Sequence, residues 1–186
     1  MNSEGMRSIG IDSETAGIFE GQVDSKTLAL TPNTQTVSLS AHADLRDGPV
    51  VVEIPPNVLG LADDAWMRYI VDMGMVGPDK GKGGKFLLIP PGYKGAIPDG
   101  YFAAHSRTFS VWLAIRGFTV KGDSAPAVAA FKKDFRIYPL AQATNPPKMK
   151  FINMSGKYLN SIQASDYTFY EQLDKIIQQE PAVWWL

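Results

Sequence analysis

Apolar residues in this chain come in short runs, and proline or glycine closes almost every one. Residues 36–43 alternate, with Val37, Leu39 and Ala41 set against Thr36, Ser38, Ser40 and His42. Period two over this length predicts a half-buried strand. Val50-Val51-Val52-Glu53-Ile54 is a β-branched run stopped by Pro55-Pro56-Asn57, which predicts a second. Phe86-Leu87-Leu88-Ile89, closed by Pro90-Pro91-Gly92, predicts a third that is buried. None of these runs approaches the ~18 apolar residues of a membrane-spanning helix. The chain is thereby restricted to many short strands joined by turns, and its 13 prolines and 17 glycines supply the turns.

Other segments fit the same scheme. Leu28-Ala29-Leu30 running into Thr31-Pro32-Asn33 predicts a strand and a turn. Residues 101–106 and 110–118 predict two strands of a hairpin around Arg107-Thr108-Phe109, and residues 135–138 one more. Residues 58–75 admit two readings. Asp63-Asp64 fits the cap of a helix over residues 65–71. The same stretch also alternates, with Met67, Tyr69, Val71 and Met73 on one side and Trp66, Arg68, Ile70 and Asp72 on the other. Its aromatic and β-branched content favours a strand.

Two helices are predicted. Asp123 or Ser124 caps the first, with Pro126 in its first turn and an end near Lys133. Past Asn145-Pro146-Pro147, Ser165 or Asp166 caps the second, which runs to Glu180 and stops at Pro181. Tyr170, Leu173, Ile176 and Ile177 fall at helical spacing on one of its faces. Strands dominate and do not alternate with helices, so the pattern is mainly β, a sandwich with a C-terminal helical segment. The expected division is a loose N-terminal segment (1–25), a sandwich domain (26–140), and a linker with a helical appendage (141–186).

Charge and composition exclude several function classes. Eighteen basic against nineteen acidic residues give a net charge of −1, so no nucleic-acid partner is expected. The absence of cysteine removes disulfide scaffolds, thiolate zinc sites and cysteine nucleophiles, and is compatible with either redox compartment. Residues 1–10 are polar and lack the apolar stretch of a signal peptide.

The Gly-rich stretch GMVGPDKGKGGK (74–85) is no phosphate loop. Phe86 follows Gly84-Lys85 where a Ser or Thr is needed, and Asp79 stands where the first glycine belongs. Its lysines suggest at most a weak anion nest, with Asp79, Lys82 and Lys85 as the ligand-binding candidates. His42 and His105 are the only histidines and do not sit at metal-ligand spacing, so no metal and no cofactor are expected. No G-x-S-x-G elbow is present. Asp72, inside an apolar run near Arg68, suggests an ion pair or an acid–base group. Arg68, Asp72 and His105 are therefore the catalytic candidates. The chain ends on Ala182-Val183-Trp184-Trp185-Leu186, and Trp184 and Trp185 predict an interface, since exposed apolar clusters mark absent partner surfaces.

A long ordered string of motifs resembles one bacterial family. It comprises residues 30–37 (LTPNTQTV), 44–56 (DLRDGPVVVEIPP), Asp72-Met73-Gly74 with 77–85, 88–95 (LIPPGYKG), Ile97-Pro98-Asp99-Gly100-Tyr101, Arg136-Ile137-Tyr138-Pro139-Leu140, and 149–180. Together these look like the N-terminal half of proteins assigned to "domain of unknown function 1254", over roughly residues 15–181. The resemblance implies an immunoglobulin-like sandwich followed by a helical segment. In fuller relatives a second β domain, "domain of unknown function 1214", follows, and many of those carry an export signal. It implies a chain that stops short of the full protein, and it transfers no catalytic residue.

Two functional readings follow. The preferred one is a non-catalytic sandwich module of a larger exported or envelope-associated protein, which oligomerises or binds a protein partner. The alternative is part of a hydrolase-type enzyme, with Arg68, Asp72, Asp79, Lys82 and Lys85 converging at the junction with a second domain. That reading requires those groups to share a pocket of ligand size.

Overall fold

The computed structural model describes residues 3–13, 15–29 and 33–182. The N-terminal part holds helix α1 (Ser3–Ser8) and strands β1 (Thr15–Ile18) and β2 (Thr27–Leu28). Seven strands follow: β3 (Thr36–Asp44), β4 (Val50–Ile54), β5 (Val58–Asp64), β6 (Tyr69–Gly74), β7 (Gly84–Ile89), β8 (Phe102–His105) and β9 (Ser110–Phe118). Helix α2 (Ala125–Asp134), strands β10 (Arg136–Pro139), β11 (Lys150–Asn153) and β12 (Leu159–Asn160), and helix α3 (Thr168–Ile177) complete the described chain. The fold is mainly β, with a few short helices and a helix near the C-terminus.

A six-stranded sheet runs β11-β1-β3-β9-β5-β6 and a four-stranded sheet runs β10-β4-β7-β8. A small parallel pair joins β12 to β2. The alternation in β3 does what period two predicts. Val37, Leu39, Ala41 and Ala43 are buried, while Thr36, Ser38, His42 and Asp44 lie on the other face. Val37 and Leu39 share one core with Leu113 and Ile115 of β9 and with Val50, Val52, Phe86 and Leu88 of the four-stranded sheet. The two sheets therefore face each other across that core, where each fully buried large side chain contributes about 1.5–3 kcal/mol. The far side of the four-stranded sheet is covered as well, because Val51, Leu87, Ile89 and Tyr138 pack beneath Tyr93, Tyr101 and Leu140. Burial on both faces explains why β4 and β7 read as unbroken apolar runs.

Helix α2 closes one end of the core with Ala127, Val128 and Phe131. Gly117 permits this approach, since a Cβ there would lie 2.9 Å from the Phe131 ring. The Asp123 carboxylate accepts the Ala125 N–H at 2.9 Å, and Ser124 instead donates its hydroxyl to the Glu20 carbonyl at 2.9 Å.

Three local expectations need correction. Residues 58–75 form a hairpin of two strands, not one strand or a helix. Asp64 accepts the N–H groups of Trp66 and Arg68, both at 3.0 Å, and Met67 takes a left-handed φ of 59°. That tight turn reverses the chain, and a register shift at Ala62/Asp63 breaks the alternation. Residues 101–118 are not a hairpin either. β8 lies parallel to β7, whereas β9 lies between β3 and β5. The chain changes sheets at a corner where buried Thr108 donates its N–H to the Ser106 hydroxyl at 3.1 Å and its own hydroxyl to the Ser110 carbonyl at 2.9 Å.

The N-terminal residues expected to be loose hold β1, which lies between β3 and β11 in the larger sheet. Met6, Ile11 and Phe19 form a second small core with Met154 and Leu159, from the segment expected to be a linker.

Candidate functional site

The register of the larger sheet aligns His42 of β3 with Trp112 of β9, and Trp112 with Asp63 of β5. These side chains share the face turned away from the main core. The Trp112 indole N–H donates to the Ser40 hydroxyl at 2.8 Å, which fixes the ring across the strands. Three further segments build a rim around this row: Arg7 and Ile11 from α1 and the chain after it, Ala65 and Met67 from the β5–β6 turn, and Ile176 and Gln179 from the end of α3. Between them lies a cavity of about 260 Å³.

The end of α3 is anchored. Buried Glu180 accepts the backbone N–H groups of Phe109 and Ser110, at 2.5 and 3.0 Å.

Charge in the cavity is distributed unevenly. The Asp44 carboxylate is gripped by the Arg46 guanidinium, whose hydrogen bonds hold it below the usual carboxylate range. Asp64, fully buried, pairs with Arg68 at 2.7 Å and Arg107 at 3.5 Å. Burial, then the charges of Asp64 and Asp72, push Asp63 up. His42 is held down at about 4, first by burial and then by the charge of Arg7, so it is neutral near pH 7. Among the described residues, no group hydrogen-bonds the His42 ring and no carboxylate pairs with Arg7.

The residues singled out from sequence lie elsewhere and do not converge. Arg68 turns back to Asp64, four positions away across the tight turn, and the pair with Asp72 does not form. Asp72 instead lies close enough to Asp63 for the two like charges to interact. Asp79 is buried inside the Gly-rich loop, where it accepts the N–H groups of Gly74 at 2.8 Å and Gly83 at 3.1 Å. Two of the loop's inward amides are thus occupied by the chain's own carboxylate. Lys82 is exposed, and Lys85 pairs with Glu53 at 3.0 Å. Glu53 also accepts the Tyr138 hydroxyl at 2.5 Å. Burial raises its pKa, but the Tyr138 and Lys85 hydrogen bonds and the charges of Lys85 and Arg136 outweigh that and leave it low. His105 is exposed on β8. Trp184 and Trp185 lie outside the described residues.

The arrangement assembles Arg7, His42 and Trp112, a cation, a neutral imidazole and an aromatic wall from three distant segments. His42 was visible as one of two histidines, on the polar side of an alternating strand. No local signal joined it to Arg7 or Trp112. Among the described residues, no group of three or more His, Asp or Glu side chains is placed to hold a metal ion. No helix among them is long and apolar enough to cross a membrane.

The VPA0106 protein from Vibrio parahaemolyticus has a similar fold, with a TM-score of 0.58 and 17% sequence identity. The alignment covers 84% of this chain but 39% of that protein, so the chain spans well under half of its length. No curated protein matches the chain. Residues 16–139, well over half of the sequence, match the family described as "Protein of unknown function (DUF1254)", and the chain belongs to that family.

Proposed function

We propose that the chain is a non-catalytic, immunoglobulin-like sandwich module of a larger exported or envelope-associated bacterial protein, and that α3 is where a further domain of the same polypeptide docks. The exposed side of α3 carries this reading. Phe169, Leu173 and Ile176 are half-buried, but Tyr167, Tyr170 and Ile177 are 74%, 62% and 49% exposed. A stripe of two tyrosines and an isoleucine on an anchored helix is an apolar surface without a cover among the described residues. The occupant is taken to be a further domain because the fold neighbour continues well beyond the region this chain matches. The tryptophans at positions 184 and 185 extend the same interface in sequence.

Hydrogen exchange on the product of the complete reading frame, compared with the 186-residue chain alone, tests the proposal. Protection of residues 167–177 that rises in the longer protein is the expected result. A reading frame that encodes no further domain, or equal exchange in both proteins, overturns it.

A further inference from the structure

The cavity above Trp112 has a chemistry that the docking reading leaves unused. Of the acids that line it, Asp44 pairs with Arg46, Asp64 pairs with Arg68 and Arg107, and Asp12 is the third. Among the described residues, Arg7 is the lining cation without an ion pair, and His42 is a neutral imidazole without a hydrogen bond. A neutral imidazole offers one N–H donor and one acceptor nitrogen. The Trp112 ring, Ile11, Met67 and Ile176 form the apolar part of the wall, and Ser13, Ser110 and Gln179 add polar groups. A concave site that combines an apolar wall with convergent polar groups is the usual form of a small-ligand site. Its volume of about 260 Å³ equals roughly nine water molecules at ~30 Å³ each. That suits a compact molecule of about ten non-hydrogen atoms. Five separate segments form the walls, so the site exists only in the folded chain.

We propose that this cavity binds a small planar organic carboxylate, with the carboxylate held by Arg7 and the His42 N–H and the flat apolar body laid along Trp112. Each part of such a ligand meets a matching surface. The anion meets the unpaired guanidinium, which forms the stronger charge-assisted class of hydrogen bond. A positively charged ligand meets the like charge of Arg7. A long chain exceeds the volume.

Benzoate is the probe, titrated into the whole chain while the His42 imidazole and Trp112 indole signals are followed by NMR. Both signals are expected to move together and saturate. Benzamide, the same shape without the charge, is expected to bind about tenfold more weakly or worse, as is benzoate to Arg7→Met. Arg7 is exposed on a short helix, so its replacement leaves the cores intact. The benzamide comparison uses the unaltered protein and stands independently of that variant. Signals at His42 and Trp112 that stay fixed up to about 10 mM benzoate overturn the proposal. So does benzamide binding as tightly as benzoate, or Arg7→Met binding benzoate undiminished.

Discussion

Acidification reads the environment of His42 directly. Burial and the charge of Arg7 hold its imidazole at about 4 in the folded chain, against 6.5 for an unperturbed histidine. The folded value is the lower one. Between the two pH values the unfolded chain binds a proton that the native chain refuses. The contribution is therefore fully present above about pH 6.5 and is lost as the pH falls towards 4. At about 1.4 kcal/mol per pH unit the separation amounts to about 3 kcal/mol, a large share of the 5–15 kcal/mol by which domains are typically stable. Urea unfolding of the native chain and of His42→Gln, at several pH values from about 7.5 down to about 4.5, measures it. The carboxylates titrate in both proteins. Asp44 and Glu53, held low, lose stability in more acidic solution, and Asp63, held high, acts in the opposite sense. The difference between the two proteins isolates His42. The native chain should lose about 3 kcal/mol more than the variant across this range. Parallel pH profiles, or an imidazole that titrates near 6.5 by NMR, would refute the reasoning.

Four further outcomes are expected. Phe131→Ala removes a fully buried ring between α2 and Gly117 and should cost about 3–5 kcal/mol in urea unfolding; a loss below about 1 kcal/mol shows that the helix repacks. Asp79→Asn withdraws the carboxylate from two inward amides and should cost about 1–3 kcal/mol. The Gly74 and Gly83 amides should exchange faster with solvent, and unchanged rates contradict the closed-loop reading. Glu180→Gln weakens the anchor on Phe109 and Ser110, so amide exchange across α3 should accelerate about tenfold, equivalent to one hydrogen bond of ~1.4 kcal/mol; exchange at the native rate means the helix is held elsewhere. Replacing Trp184 and Trp185 together by Ser should lower self-association of the chain in light scattering, and an unchanged mass removes them from the interface.

What the sequence disclosed was local. The faces of β3 follow from Val37, Leu39 and Ala41 recurring at every second position, the β-branched run of β4 marked a strand, and the unbroken run of β7 marked a buried one. Partner choice was hidden. Nothing within residues 101–118 says that β8 joins β7 while β9 crosses to the other sheet, because that depends on strands far away in the chain. Strand β1 is four residues long and half of it is Ala and Gly, so it carries little of the β-branched signature. Its place is set by β3 and β11. Likewise, Tyr170, Leu173, Ile176 and Ile177 were read as one face of α3, yet Tyr170 and Ile177 point outward. The apolar stripe is wider than the surface it meets. The cavity was the least legible feature, since Arg7, His42, Trp112 and Ile176 come together only after the larger sheet and both flanking helices are in place.

The parallel pairing of β1 with β11 sets a schedule for synthesis. Thr15 lies beside Lys150, so the partner of an early strand is made about 135 residues later. At the usual synthesis rate of ≈ 5–20 residues per second the nascent chain waits roughly 7–27 s before that edge can close. Throughout that interval β1 offers its unpaired N–H and C=O groups to any passing strand. A ribosome that pauses between β10 and β11 lengthens the exposure, and one that stops there releases a chain whose larger sheet is still open.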